Sequence, residues 1–169
     1  MKPIAIKDLS DNFFEAISKE WMLVTAGTEG AFNTMTASWG GVGFLWNKPV
    51  VYVFIRPERY TFEFIEKNDF FTLSFLGKEN KDIHKVCGFK SGREVDKIKA
   101  TGLKPIVTEK GNIFFEQARL SLECRKLYKS MMKEECFIDP DTIKTWYGGT
   151  HGGLHSIYVA EITGAWIKD

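Results

Sequence analysis

The sequence predicts a mainly β protein, an antiparallel barrel with a few short peripheral helices. Segments rich in β-branched and aromatic residues recur from residue 21 to residue 167. The helical segments between them are few and short. Strands do not alternate with long amphipathic helices, as a parallel sheet with crossover connections requires.

Taken in order, Trp21 to Ala26 (WMLVTA) is the first strand. Phe32 to Trp39 is the second; it is less apolar, so it is either half-exposed or ligand-lining. Pro49 to Arg56 (PVVYVFIR) has the Val, Tyr, Phe and Ile content of a buried strand. Thr61 to Lys67 is a helix, with a hydroxyl residue at its start and Glu63 in its first turn. Phe70 to Leu76 (FFTLSFL) returns to strand. Two short helices, Asp82 to Val86 and Glu94 to Ala100, flank a basic turn, and Gly102 stops the second of them. Ile113 to Glu116 is a short extra strand. Ala118 to Tyr128 alternates, with Leu120, Leu122 and Cys124 on one face and Arg119, Glu123 and Arg125 on the other. Asp141 to Tyr147 is a last helix, ended by Gly148 and Gly149, and His155 to Ile167 closes the set of strands.

The 169 residues fit one domain, spanning 1–169, long enough to bury a core without disulfides. Apolar residues at 44% and charged residues at 27% are those of a soluble globular chain. The aromatic share of 14%, with 14 Phe, implies a thick core, an apolar ligand site or a large subunit interface. A net charge of +1 argues against nucleic-acid binding by bulk electrostatics, so any anion site must be local. Cys87, Cys124 and Cys136 are odd in number, with neither metal-ligand nor disulfide spacing, which places the chain in a reducing cytoplasm. The opening residues lack the apolar core of a signal peptide, and the longest apolar run is too short to span a membrane.

The chemistry concentrates between residues 33 and 61. Arg56 ends an apolar strand, Pro57 fixes a turn, Arg59 follows, and Thr61 opens a helix. Two guanidiniums, a hydroxyl and the free N–H groups of a helix N-terminus can serve one phosphate; equally, they can be solvated arginines beside an N-cap. Asn33 to Gly40 (NTMTASWG) puts small polar residues on a strand, where a flat ligand can approach the backbone and Trp39 can wall it; the other reading is an edge strand facing water. Lys90-Ser91-Gly92-Arg93 is a second basic turn, a cation for the same site or a solvated loop. The histidines form no metal site: Gly152 and Gly153 separate His151 from His155, and no third ligand clusters with them. His84 is expected at the surface or as a cap. Cys87 is expected to pack rather than react. No nucleophile–base triad or phosphate-binding glycine loop is present.

Together these stretches resemble the flavin reductase-like family, the FMN-binding split β-barrels that include flavoredoxins and short-chain NAD(P)H:flavin oxidoreductases. The resemblance rests on Asn33 to Gly41, Asn47-Lys48-Pro49, Ile55-Arg56-Pro57-Glu58-Arg59-Tyr60-Thr61, Phe71 to Phe75, Cys87 to Arg93 and Gly102-Leu103, and its order and spacing cover roughly residues 20 to 165. It implies that Asn33, Thr34, Met35, Thr36, Ala37, Ser38 and Trp39 lie along the ring and ribityl of FMN. It implies that Arg56, Arg59, Tyr60 and Thr61 lie near the phosphate, and that Lys90, Ser91 and Arg93 reach the flavin from a third side. It also implies a homodimer with FMN near the interface and NADH or NADPH as the reductant. The flavin would carry the chemistry, so no catalytic side chain and no metal is expected. Two functions follow: an NAD(P)H-dependent oxidoreductase passing electrons through bound flavin to FMN or another acceptor, or a flavoredoxin-like carrier reduced by a redox partner protein.

Overall fold

The computed structural model describes residues 1–149 and 152–168. Ten strands and five α-helices follow one another among these residues: β1 (Lys2–Pro3), α1 (Phe13–Glu15), β2 (Met22–Thr28), β3 (Ala31–Ala37), β4 (Gly40–Leu45), β5 (Lys48–Ile55), α2 (Tyr60–Lys67), β6 (Phe70–Phe75), α3 (Lys81–Phe89), α4 (Lys97–Thr101), β7 (Pro105–Val107), β8 (Ile113–Phe115), β9 (Leu120–Met131), α5 (Pro140–Trp146) and β10 (Ser156–Ile167). The main sheet runs β3-β2-β6-β9-β10-β5-β4, with β1 added along β10, while β7 and β8 form a separate hairpin. Every pairing is antiparallel.

The ends of that order explain the shape. β3 and β4 are the outermost strands, yet only Ser38 and Trp39 separate them in the chain. A flat sheet of this width cannot be bridged by two residues, because each spans at most about 3.5 Å. The sheet therefore rolls until its edges meet at that link and part beyond it, which gives an antiparallel split barrel.

Strand alternation sets the two faces. On β2, Met22 and Val24 point into the barrel with Val53, Ile55, Phe71, Leu73, Leu120, Leu122 and Tyr158. Leu23, between them, joins a second cluster with Leu76, Cys87, Leu103, Ile113 and Phe115, under α3, α4 and β8. Burying each large apolar side chain contributes roughly 1.5–3 kcal/mol, so both faces of β2 are fixed in register. β9 follows the same rule: Leu120, Leu122 and Cys124 are fully buried as the alternation predicts. Its other face is covered too, since Glu123 is buried and accepts hydrogen bonds from Thr108, Lys110, Asn112 and Thr163.

Besides the short strands β1 and β7, the sequence reading misses two elements that border the site. β4 contains three glycines (GGVGFL) and does not read as a strand, yet it pairs with β5 along its whole length. The hairpin turns on Trp46 and Asn47, both left-handed at φ 50° and 57°. That is the backbone of a tight two-residue hairpin, without the glycine that usually announces it. The other is the N-terminal helix: α1 is capped by the Asn12 side chain and runs directly into a π-helical turn over Ala16–Glu20. Helix starts also move where caps dictate. The Asp96 carboxylate accepts from the backbone N–H groups of Ile98 and Lys99, so α4 begins at Lys97 rather than Glu94. Gly102 ends it as expected, at φ 69° with its N–H on the Ile98 carbonyl.

Candidate functional site

β5 delivers Arg56 to the barrel rim, and a turn closed by the Arg59 N–H on the Arg56 carbonyl makes Arg59 the N-cap of α2. The Arg59 guanidinium donates to the Cys87 carbonyl at 3.2 Å. Lys97, only 5% exposed, donates to the same carbonyl at 3.0 Å and to the Thr34 carbonyl at 2.7 Å. These carbonyls are dipoles, not counter-ions. Among the described residues neither Arg59 nor Lys97 is paired with a carboxylate. Burial, reinforced by Arg56, pulls the Arg59 pKa down. Burial brings Lys97 to about 8, with Arg59 acting in the same direction. Cys87 offers Lys97 no relief at neutral pH, because burial pushes its thiol up to about 11.

The basic turn after α3 reaches the same place. A Cβ at Gly92 would stand 2.1 Å from Asn33 Oδ1, so only glycine lets the turn pack against β3. Asn33 in turn donates to the Thr61 hydroxyl at 2.6 Å. The result is a cavity of about 210 Å³ lined by Arg59, Tyr60, Thr61, Lys90, Ser91 and Lys97, among others. Lys90 is exposed at its edge. Ser91 accepts from the Arg93 N–H, and Arg93 lies 4.7 Å over the Tyr60 ring and pairs with Glu63. Arg93 thus clamps the turn to α2, and its charge is already neutralised.

Arg59 also lines a second cavity of about 190 Å³, with Thr36, Ser38, Trp39, Phe54, Arg56 and His155 on its walls. Along β3, Met35 belongs to the barrel core. Thr34 accepts from the Thr25 hydroxyl, and Thr36 donates to the His84 carbonyl at 2.7 Å. Ala37 lines the cavity without a polar side chain. At this wall β3 therefore offers its backbone, followed by Ser38 and Trp39. Trp39, 39% exposed, stands edge-to-face against Trp146 and tilted against His155, each at 5.3 Å.

The segment around α5 is strapped onto this cavity. The Asp139 side chain caps α5 and Pro140 fits its first turn. Arg56 donates to the Trp146 carbonyl at 3.0 Å and lies over the Tyr147 ring. The Tyr147 hydroxyl meets His155 Nδ1 at 2.8 Å. Glu58 accepts from the Gly153 N–H, and that bond lowers its pKa against the effect of burial. Burial, then Arg56, depresses His155 to about 4, so its ring is neutral at pH 7.

Of the fourteen residues singled out in the sequence, eleven line one of these two cavities, while Asn33, Thr34 and Arg93 line an adjoining polar cavity of about 550 Å³; Thr34, Met35, Thr36 and Arg93 are committed to packing or to other partners. Lys97, Tyr147 and Glu58 join them without a role read from the sequence, and so does His155, which the sequence reading weighed only as a metal ligand. No local pattern marks Lys97, whose role arises from burial against residues far away in the chain. His84 is a correction: it is fully buried, with Nε2 lacking a hydrogen-bond partner, rather than at the surface. Burial and Lys81 lower it to about 4. His151 lies outside the described residues. Among those described, no group of three or more His, Cys, Asp or Glu could hold a metal ion, and no helix is long and apolar enough to cross a membrane.

Comparison with known proteins bears on this geometry. The sequence pattern of a family described as a flavin reductase like domain matches residues 14–169. No curated protein matches. Among solved structures, a flavoredoxin from Methanosarcina acetivorans superposes with a TM-score of 0.67 at 22% identity, over 100% of this chain and 77% of that one. An FMN-binding protein from Thermus thermophilus gives 0.68 at 23% identity, over 100% and 83%. An NADH:FAD oxidoreductase from Streptomyces globisporus gives 0.65 at 16% identity, over 89% and 76%. At these identities the likeness is one of fold.

Proposed function

The chain belongs to the flavin reductase like family, and on that premise we propose that it binds FMN and acts as an oxidoreductase, taking electrons from NADH or NADPH and passing them to FMN or another acceptor. The observation that carries the reading is Arg59. It stands between two cavities, beside Lys97, and neither cation has a carboxylate partner among the described residues. A site with unneutralised, partly dehydrated cations at one end and aromatic walls at the other suits a ligand with an anionic tail and a flat ring.

Bound FMN would supply the redox chemistry, accepting and releasing electrons in pairs. The chain's own residues have other tasks. Arg59, Lys97, Thr61 and the first N–H groups of α2 would hold the phosphate, where the helix dipole adds to their charge. Trp39 and Trp146 would wall the ring and thin the water around it. His155 presents a neutral imidazole whose Nδ1 is engaged by Tyr147. The positive field at that cavity therefore comes from Arg56 and Arg59, and it favours negative charge on whatever binds there.

The first test compares ligands. Arg59→Ala should weaken FMN binding by about 1.5–3 kcal/mol, the range for a hydrogen bond to a charged group, and leave riboflavin almost unchanged; equal losses would remove Arg59 from the phosphate. The second identifies the reductant by anaerobic titration of the flavin-loaded protein with each nicotinamide, followed at the flavin absorbance. One observation favours a flavoredoxin-like carrier instead: Phe89 lines the phosphate-end cavity yet is 88% exposed, an apolar ring at its mouth that a protein partner could cover. A carrier would show negligible bleaching by either nicotinamide on a timescale of minutes.

A further inference from the structure

We propose that Asn33 is a positioning residue of this site: its carboxamide fixes the Thr61 hydroxyl so that the hydroxyl proton is presented to the phosphate of the ligand. The inference rests on the reading that a flavin occupies the two cavities, and it gives Asn33 a role through Thr61 instead of a contact with the ligand.

The geometry starts at the amide. A carbonyl oxygen can only accept, so the end of the Asn33 side chain that faces the Thr34 carbonyl at 3.3 Å is the NH2 group. The same nitrogen lies 2.6 Å from Thr61 Oγ1 and is therefore the donor of that bond. The other end, Oδ1, is pressed against Gly92, where an added Cβ would stand 2.1 Å from it. The amide is thus held at both ends, and it cannot turn over without parting the basic turn from β3. Asn33 is 7% exposed, and it lines the polar cavity of about 550 Å³ but neither of the other two.

Thr61 is the residue this arrangement serves. It is fully buried, second in α2, and on the wall of the cavity of about 210 Å³. A hydroxyl has one proton and two lone pairs. One lone pair takes the Asn33 N–H, which leaves the proton to be donated elsewhere. Among the described residues Thr61 Oγ1 has no acceptor. Glu58, the acid on the same wall, accepts from the Gly153 N–H. Arg59, Lys90 and Lys97 can only donate. The Ser91 hydroxyl accepts from the Arg93 N–H. The wall therefore offers several donors, and what it lacks is a group with many lone pairs, which a phosphate ester supplies. Without Asn33, a threonine hydroxyl on a helix is free to rotate and donate to a carbonyl of the preceding turn. That rotation would withdraw the donor from the cavity.

The experiment is calorimetric titration with FMN and with riboflavin of wild type, Asn33→Ala, Asn33→Leu, Thr61→Val, Thr61→Ser and the double variant Asn33→Ala/Thr61→Val. Thr61→Val should lower the ratio of FMN to riboflavin affinity about tenfold or more, and Thr61→Ser, which keeps the hydroxyl, should retain most of it. Asn33→Ala and Asn33→Leu should each lower the ratio about threefold to tenfold, with riboflavin affinity nearly constant. With valine already at position 61, loss of Asn33 should change the ratio by less than about twofold, because no hydroxyl is left to orient. An Asn33→Ala effect of full size in the Thr61→Val background would place Asn33 on the ligand itself and overturn the proposal. Equal losses for both flavins in the Asn33 variants, the signature of a merely structural residue, would overturn it too. A ratio that Thr61→Val leaves unchanged overturns it even if neither Asn33 variant folds. Wild type that binds both flavins equally overturns this proposal alone; wild type that binds neither overturns the flavin reading with it.

Discussion

Removing the Trp39 side chain separates a ligand wall from a core residue. A fully buried Trp→Ala change costs about 3–5 kcal/mol. Trp39 keeps 39% of its surface in water, and its partner Trp146 keeps 51%. Scaling by the buried three-fifths gives about 2–3 kcal/mol for the apoprotein, which includes the two ring contacts at 5.3 Å. The cavity wall is lost as well. If FMN affinity falls tenfold, the stabilisation from a fixed excess of FMN shrinks by about 1.4 kcal/mol. Urea unfolding of wild type and Trp39→Ala, each with and without FMN, measures both quantities from the midpoints, provided the slopes agree. A loss above about 4 kcal/mol in the apoprotein, with the FMN increment undiminished, would make Trp39 a core residue and take it out of the site. A negligible apoprotein loss would show that its contacts with Trp146 and His155 do not bind α5 to the barrel.

Other outcomes follow from burial and charge. His84 and His155 are both held neutral by burial, at about 4 against an ordinary 6.5, so the unfolded chain binds protons first; stability should hold above pH 6.5 and decline as pH falls from there toward 4, with neither ring titrating by NMR above about pH 5. Burial raises the Glu123 pKa, but hydrogen bonds from Lys110, Asn112 and Thr108 outweigh it and leave it below 4.5. Wild type should therefore exceed Glu123→Gln by about 2 kcal/mol near neutrality in chemical denaturation, and the gap should close as pH drops below 4.5. Phe44 at 69% and Trp46 at 56% exposure project from the β4–β5 hairpin; we expect them to be covered in a homodimer, and a monomer by sedimentation at micromolar concentration would refute it.

What could be read in advance follows a physical boundary. β5, β6, β9 and β10 are legible because branched and aromatic runs, or strict alternation, state their burial locally. β4 is not, because Gly40, Gly41 and Gly43 carry no side chain to show a pattern, and the hairpin puts a positive φ on Trp46, a residue that rarely takes one, and has Asn47 without a following glycine. The same boundary divides the site. Arg56, Arg59 and Thr61 are visible since one strand-to-helix turn gathers them. Lys97 is not, because its meaning depends on Thr34, 63 residues away, and on being buried, which nothing in the sequence around it declares. His84 resembles a surface residue on a short helix until Trp21 is found edge-on to it at 6.0 Å.

The position of β10 in the sheet has a kinetic consequence. It follows every one of its neighbours in the chain, yet it lies between β9 and β5 and hydrogen-bonds both. Before it docks, one hydrogen-bonded unit holds β3, β2, β6 and β9, and another holds β5 and β4, joined across the gap only by chain. The cavity that takes Thr36 from one unit, Phe54 and Arg56 from the other, and His155 from the entry to β10 itself does not exist until that strand is in place. Ligand capture should thus come late in folding, since the β10–β5 pairing that creates it joins Ser156 to Ile55 across a long stretch of chain. In a refolding experiment, quenching of added flavin should lag behind the return of sheet content and report the moment at which the two halves become one barrel.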